Sequence, residues 1–577
     1  MFRTIYGKLS VLVTILLVGS LLALSLLLWP ENLSELLENW TGEEEVLPQI
    51  RGLLHLVSGA MRRQPRTLPY VPVAHTGVNP LGINTFLEQE VEPAKVEQAL
   101  SMISRAGFKW IRQEFPWEDI EIHAKGDFED RRHPPPRSAW EKYDRIVDLA
   151  EKHGLGLIVR LGNPPAWSRA AGDEAGTFAP PDDYQDFGDF VYTVVTRYRG
   201  RIKYYQIWNE PNIYPEWGEQ PVNAAEYTAL LKVGYTRAKE ADPEVVILSA
   251  SLAPTIELGP RDMNDFIFLQ QMYDAGAKDY FDILSIQDYG LWSGPGDRRM
   301  RPRVLNFSRP VYIREIMVAN DDEHKPIWAS EVGWNAIPFD HPAYPQFGRV
   351  SDEQLARYAV GAYQRAQADW PWMGVLNFWF FKRATDLERE QPFYYFRMVE
   401  PDFTPMPVYQ AMKEYAHQKP VVFIGYHQED HWALHYQGGW RSVKDEYAVL
   451  GGYRATEKAG DSLSFTFRGT GLDLVVLKGR NSGMLQVTLD GQDLGEIDLR
   501  APEGQYQVEI PIARGLVDRE HQVRFQAVGK GRVAIDGLIV RRDTSYRWHY
   551  VLGGVLAAGS LGFILYFWQS GLQVVSL

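Results

Sequence analysis

Between about residues 71 and 418 the chain alternates short apolar runs with longer amphipathic stretches, eight times over, and no other feature of the 577 residues restricts the fold as strongly. The runs are GINTF (82–86), FKWIR (108–112), LGLIVRL (155–161), IKYYQIW (202–208), VVILSAS (245–251), FDILSIQ (281–287), PIWASEV (326–332) and GVLNFWF (374–380). Between them, segments such as PAKVEQALSMISRAG and WEKYDRIVDLAEKHG repeat their apolar residues at helical spacing. Eight strand-plus-helix units over roughly 300 residues predict a (β/α)8 TIM barrel, an α/β fold, over 71–418. An open doubly wound sheet is the competitor, but no glycine-rich phosphate loop follows the first run.

From 419 to 545 helical periodicity fades and two-residue alternation replaces it, in SLSFTFRG, MLQVTLDG, YQVEIPI and HQVRFQA. Asp490-Gly491 is a hairpin signal, and the region predicts an all-β sandwich. The segments GTGLDLVVLKGRNSGMLQVTLDGQDLGEIDL, EHQVRF and VAIDGLIV resemble galactose-binding-like jelly rolls, which makes the region a candidate carbohydrate-binding module with Trp432 and Trp440 as sugar contacts. A spacer packed on the barrel is the alternative.

Residues 9–29 carry 21 uncharged positions, enough to cross a hydrocarbon core as a helix. Arg3 and Lys8 precede them and a run of glutamates follows, so residues 1–30 read as a signal anchor with the N-terminus cytoplasmic. A cleaved signal peptide is the alternative, although no A-x-A-like site follows. Residues 550–568 are again uncharged and flanked by Tyr and Trp, so 546–577 read as a second transmembrane helix with a short tail. Gly554, Ala558 and Gly562 make a small-residue face suited to a helix partner. Arg541, Arg542 and Arg547 oppose this topology, but the first segment usually dominates. Both termini are then expected in the cytoplasm and the domains between them outside, with the lipid bilayer as a partner. Residues 31–70 read as a helical spacer whose stripe of Leu47, Ile50, Leu53, Leu54, Val57 and Met61 suits docking on the next domain or lying on the membrane.

The net charge of −14 argues against a nucleic-acid partner. There is no cysteine, hence no thiolate metal site and no thiol nucleophile. The histidines are scattered without a paired motif, so neither metal nor cofactor is expected.

The fourth run ends in Trp208-Asn209-Glu210-Pro211-Asn212 and the seventh in Ser330-Glu331-Val332-Gly333-Trp334. The C-terminal strand ends of such a barrel form its active face. Two carboxyls from different strands can there flank one sugar, one protonating the departing oxygen and the other attacking the anomeric carbon. Asn-Glu-Pro after strand 4, with a glutamate closing strand 7, resembles glycoside hydrolase clan A, most nearly family 39 and its exopolysaccharide-cleaving relatives. The resemblance spans the barrel. It implies that Glu210 is the acid/base, Glu331 the nucleophile, and Asn209 the partner of the sugar 2-hydroxyl. It also implies that Arg112, ending strand 2, orients the nucleophile, that Tyr289 holds it, and that Trp379 is a sugar platform. Relatives often carry His where this chain has Gln287, which puts subsite detail in question. Glu114, Asn163, Trp167, Trp334 and Asp386 fall in expected strand-to-helix loops and are candidate subsite residues.

The expected function is a membrane-anchored retaining glycoside hydrolase acting on a β-linked extracellular or cell-surface polysaccharide. The alternatives are an inactive glycan-binding protein and a transglycosylase on the same scaffold.

Overall fold

In the computed structural model the described residues are 37–542, apart from 39 and 61. The apolar segments 9–29 and 550–568 and the face of Gly554, Ala558 and Gly562 lie outside them. Among the described residues no helix is long and apolar enough to cross a membrane.

A helix, α1 (Val46–Ala60), precedes eight strand–helix pairs: β1 (Leu81–Thr85), α2 (Pro93–Arg105), β2 (Trp110–Pro116), α3 (Glu141–Lys152), β3 (Gly156–Gly162), α4 (Tyr184–Arg197), β4 (Tyr204–Ile207), α5 (Ala224–Ala241), β5 (Val246–Leu248), α6 (Asp265–Asp274), β6 (Leu284–Tyr289), α7 (Pro310–Ala319), β7 (Ile327–Gly333), α8 (Asp352–Asp369), β8 (Met373–Phe378) and α9 (Pro407–Ala416). All eight strands are parallel, and β8 pairs with β1. Isolated parallel bridges, Leu248 to Ile283 and Leu252 to Ile286, close the ring between β5 and β6. Local chemistry marks the helix starts. Asn223 and Asn264 cap α5 and α6, Ser351 and Gln354 form a capping box on α8, and Pro93, Pro310 and Pro407 open α2, α7 and α9.

The inside of the barrel has two storeys. The lower one is apolar: Trp110, Tyr204 and Trp328 pack edge and face at 4.9–5.8 Å, with Ile158, Leu248, Ile283 and Val375 around them. Glycines make room for these rings. A Cβ at Gly156 would stand 2.5 Å from the Trp110 ring, and one at Gly374 2.0 Å from Trp328 Nε1. The upper storey is polar and carries the candidate site.

Eleven strands between Gly425 and Arg541 form two antiparallel sheets. One orders 441–444, 452–456, 533–541, 471–478 and 505–513, with 425–428 also on 533–541; the other orders 435–437, 462–469, 519–528, 484–489 and 492–498. Alternate residues such as Leu474, Leu485, Phe467 and Phe525 fill the space between them. At the expected hairpin Asp490 and Gly491 have φ of 49° and 79°, the two positive values a type I′ turn requires. The sandwich sits under the barrel floor. Trp432 N donates to Gly77 O at 2.7 Å, and Arg542 N to the Tyr70 hydroxyl at 3.3 Å.

The spacer is helical at α1, but it meets the barrel chiefly through polar residues. Glu43 pairs with Arg299 at 3.0 Å, Glu44 with Arg357 at 2.6 Å, and Gly294 N donates to Gly42 O at 2.8 Å. Of the expected stripe, Leu47 and Ile50 are exposed.

Gly374→Ala should destabilise the protein by about 1–3 kcal/mol, because the new methyl overpacks against Trp328. Gly59→Ala, with nothing within 4 Å of the added carbon, should be neutral or gain up to about 1 kcal/mol from helix propensity. Urea midpoints of the two variants measure the contrast.

Candidate active site

Arg112 organises the polar storey. The sequence places it at the end of strand 2, but β2 runs on to Pro116 and Arg112 is its third residue, pointing into the barrel. From there its guanidinium reaches four side chains: Nε donates to Gln206 Oε1 at 2.8 Å, Nη1 to Asn84 Oδ1 at 2.8 Å and to Glu331 Oε1 at 3.0 Å, and Nη2 to Asn209 Oδ1 at 2.8 Å. Arg112 is 4% exposed and Glu331 5%. A buried ion pair persists only where its remaining hydrogen-bonding capacity is met, and these neutral acceptors meet it. Tyr289, the last residue of β6, donates its hydroxyl to Glu331 Oε2. Both oxygens of Glu331 are therefore held from different strands.

Glu210 follows β4 in a turn where Trp208 and Glu210 have φ of 75° and 38°. This left-handed backbone is unusual for non-glycine residues and concentrates at functional sites. Glu210 N donates to Ser251 O at 2.9 Å, and Trp208 Nε1 to Glu216 O at 2.9 Å, so the turn is pinned on both sides. Burial pushes the Glu210 carboxyl well above the usual carboxylate range; the nearby Glu331 and Glu216 carboxylates raise it further, and Arg112 opposes them. Gln287 brings its amide beside Glu210 but completes no hydrogen bond of good geometry. Asn209 Oδ1 accepts from Arg112 and from Ser251 Oγ at 3.0 Å, which turns its amide nitrogen toward Glu216.

Glu210 and Glu331 line one cavity of about 480 Å³ together with Asn84, Arg112, Asn209 and Trp379. Trp379 stands against Phe86, ring centroids 5.5 Å apart, and the Arg383 guanidinium lies 3.9 Å over the Phe86 ring. Phe178 and Phe393 also face the cavity, giving it apolar walls around a charged base. On the β2–β3 side Arg160 pairs with Glu114. Burial lifts the neighbouring Glu216 carboxyl to about 7, against the pull of Arg160.

Several expected subsite residues do not line this cavity. Trp334 is fully buried and donates its indole N–H to Ser293 O at 2.7 Å while packing on Phe307 and Tyr358, so it belongs to the core. Asn163 takes a positive φ of 54° and its carbonyl accepts from Glu118 N, a turn role. Trp167 packs edge-on against Trp117 and donates to Glu121 O at 2.8 Å. Asp386 accepts from the Tyr394 hydroxyl at 2.6 Å. Glu114, by contrast, does reach the cavity.

Arg160, Glu216, Asn84, Gln206, Phe86 and Arg383 escaped the sequence reading. For Arg160 a signal existed: it is the one charge inside the apolar run LGLIVRL, and β2–β3 register sets it directly beside Glu114. Among the described residues no cluster of histidine and carboxylate side chains is arranged to hold a metal ion.

The raised Glu216 carboxyl predicts a pH effect on stability. A carboxyl with a native pKa near 7 and an unfolded pKa near 4.5 binds more protons when folded between those values, so its contribution is complete below about pH 4.5 and lost as pH rises toward 7. Glu216→Gln cannot ionise. Its stability should fall less across that window than the wild type's, by on the order of 1–3 kcal/mol in denaturant titrations at pH 4.5 and 7.5.

No protein-family model and no curated protein matches this chain. Solved structures similar to it are glycoside hydrolases: a family 39 glycoside hydrolase from the gut symbiont Bacteroides cellulosilyticus WH2 (17% identity, 80% of this chain and 83% of that one, TM-score 0.45), a monomeric β-xylosidase from Caulobacter crescentus CB15 (14%, 80% and 98%, 0.43), and a glucosidase from Croceicoccus marinus (12%, 81% and 98%, 0.44).

Proposed function

We propose that the chain is a retaining glycoside hydrolase that cleaves a β-linked glycan by double displacement. The observation that carries this reading is that Glu210 and Glu331 enter one cleft from β4 and β7 with opposite surroundings. Glu331 faces a guanidinium and a phenol, while Glu210 is walled in where the protonated form is favoured. In the first step Glu331 Oε attacks the anomeric carbon, the bond to the leaving oxygen breaks, and the Glu210 proton passes to that oxygen. In the second, Glu210 takes a proton from water, the water oxygen bonds the anomeric carbon, and Glu331 is released. Trp379 and Phe86 offer faces for the sugar ring, and Asn209, lining the same cavity, is assigned the sugar 2-hydroxyl by the resemblance.

The same reading holds the enzyme at a membrane by 9–29 and 550–568, with the barrel and sandwich on the extracytoplasmic side and both termini in the cytoplasm. The bilayer is then a partner, and Gly554, Ala558 and Gly562 offer a helix contact within it. Exposed Trp40, Leu47 and Ile50, close in sequence to the first apolar segment, support a surface that lies against lipid.

A 2-deoxy-2-fluoro glycoside with a good leaving group should label Glu331 covalently, seen as a mass shift on the peptide that contains it. Glu210→Gln should slow turnover of poor leaving groups by about 10²–10⁴-fold and lose the decline of kcat/KM on the alkaline side that deprotonation of Glu210 causes. Product of inverted anomeric configuration by NMR, or a label on any other residue, would end the double-displacement assignment.

A further inference from the structure

The sandwich carries a groove larger than the cleft, about 640 Å³ against 480 Å³. It lies on the outer face of the sheet made by 435–437, 462–469, 519–528 and 484–489. Strand register builds its base. His435 pairs with Ser464, Ser464 with Arg524, and Arg524 with Thr488, so four polar side chains form one row across four strands. Thr466 and Gln522 pair in a second row beside it. Thr466 is only 3% exposed, yet its Oγ1, at the groove wall, has no hydrogen-bond partner. A buried hydroxyl without a partner calls for an explanation, and one at a groove wall can be met by a ligand.

Trp432 and Lys419 stand at one margin of the groove. Trp432 is fixed by its backbone bond to Gly77 at the barrel floor, and its half-buried indole offers a flat apolar face. The charge pattern is the unexpected part. In a chain of net charge −14, no Asp or Glu lines this groove. The nearest hairpin acid, Asp490, is engaged by Arg519 at 2.9 Å and His521 at 2.8 Å. Glu520 faces the adjoining cavity at the domain seam instead, beside Arg468. The Lys419 ammonium and the Arg524 guanidinium make no ion pair among the described residues.

We propose that this groove is a second, non-catalytic carbohydrate site that grips an anionic polysaccharide. One sugar ring stacks on Trp432, neighbouring hydroxyls meet the Ser464, Thr466, Thr488 and Gln522 side chains, and acid groups along the chain sit on Arg524 and Lys419. Guanidinium pairs with planar carboxylates through two parallel bonds, and charge-assisted bonds of this kind are about twice as strong as neutral ones. The row of hydroxyls, amide and cations across the strands gives a sugar chain polar partners along its length, which sets a glycan ahead of a bilayer as occupant, although Pro420, Ala433 and Leu434 also line the groove. The site is independent of catalysis, since it neighbours the barrel floor while Glu210 and Glu331 open at the opposite end.

The test uses the full chain in nonionic detergent. Its retention by polygalacturonate, dextran sulfate, neutral dextran and phosphatidylglycerol vesicles is compared with that of Trp432→Ala and of the double variant Lys419→Ser/Arg524→Ser, each first checked for an unchanged melting midpoint. The wild type should be retained by polygalacturonate, more weakly at higher salt, and ignore neutral dextran. The double variant, which alters only surface cations, should lose affinity by roughly tenfold or more, and Trp432→Ala should lose affinity while keeping the salt dependence. Retention by dextran sulfate as well supports charge as the recognised feature; retention by polygalacturonate alone supports the carboxylate. Wild-type affinity in the double variant, equal retention by neutral dextran, or retention by vesicles without any by glycan would each overturn the proposal. Glu331→Gln should bind like the wild type, so loss of catalysis and loss of this site give separate results.

Discussion

The upper barrel depends on one buried cation. Arg112 is almost wholly buried at the base of the cleft, and a guanidinium in that position is tolerated only while its donors are occupied. Asn84 from β1, Gln206 from β4, Asn209 from the turn after β4 and Glu331 from β7 supply the acceptors. One residue therefore cross-links strands distant in sequence, and the orientation of Asn209 and Glu331 follows from satisfying it. The cleft geometry is a by-product of that requirement as much as of the backbone.

The two carboxyls differ because of what surrounds them. Glu331 meets a positive charge and a hydroxyl on its two oxygens, whereas Glu210 meets burial and two further carboxylates. Identical side chains thereby stand in opposite surroundings, and burial beside two carboxylates makes Glu210 hold its proton more tightly than an ordinary carboxyl. The surplus of negative charge around Glu216 and Glu114 is held in check by Arg160, their neighbour on β3.

The barrel, the sandwich hairpin at Asp490-Gly491 and the meeting of Glu210 with Glu331 in one cleft were legible in the chain, because each rests on periodicity or on a short motif at a strand end. What escaped depends on register and inward direction. Arg112 was readable as a site residue but not as a mid-strand one, since the apolar run FKWIR stops before Gln113-Glu114 although the strand does not. Arg160 was hidden within an apolar run because its importance lies in facing Glu114, a cross-strand relation that no single segment displays. Trp334 illustrates the converse: it immediately follows a catalytic-type motif, yet its ring turns into the space that Gly290 leaves open, where a Cβ would stand 2.1 Å away. The helix α1 was legible from its stripe, but not its polar mode of attachment, for which the decisive residues, Glu43 and Glu44, precede the helix.

The aromatic lower storey has a consequence for solvent. Trp110, Tyr204 and Trp328 pack as an apolar stopper beneath the polar chamber. Under the proposed function, a sugar lodged in the mouth would close the vestibule behind it. In the reaction proposed above, the ester on Glu331 would then stay sheltered until the departing fragment clears the entrance, and the incoming water would have to arrive by the path the leaving group has just vacated.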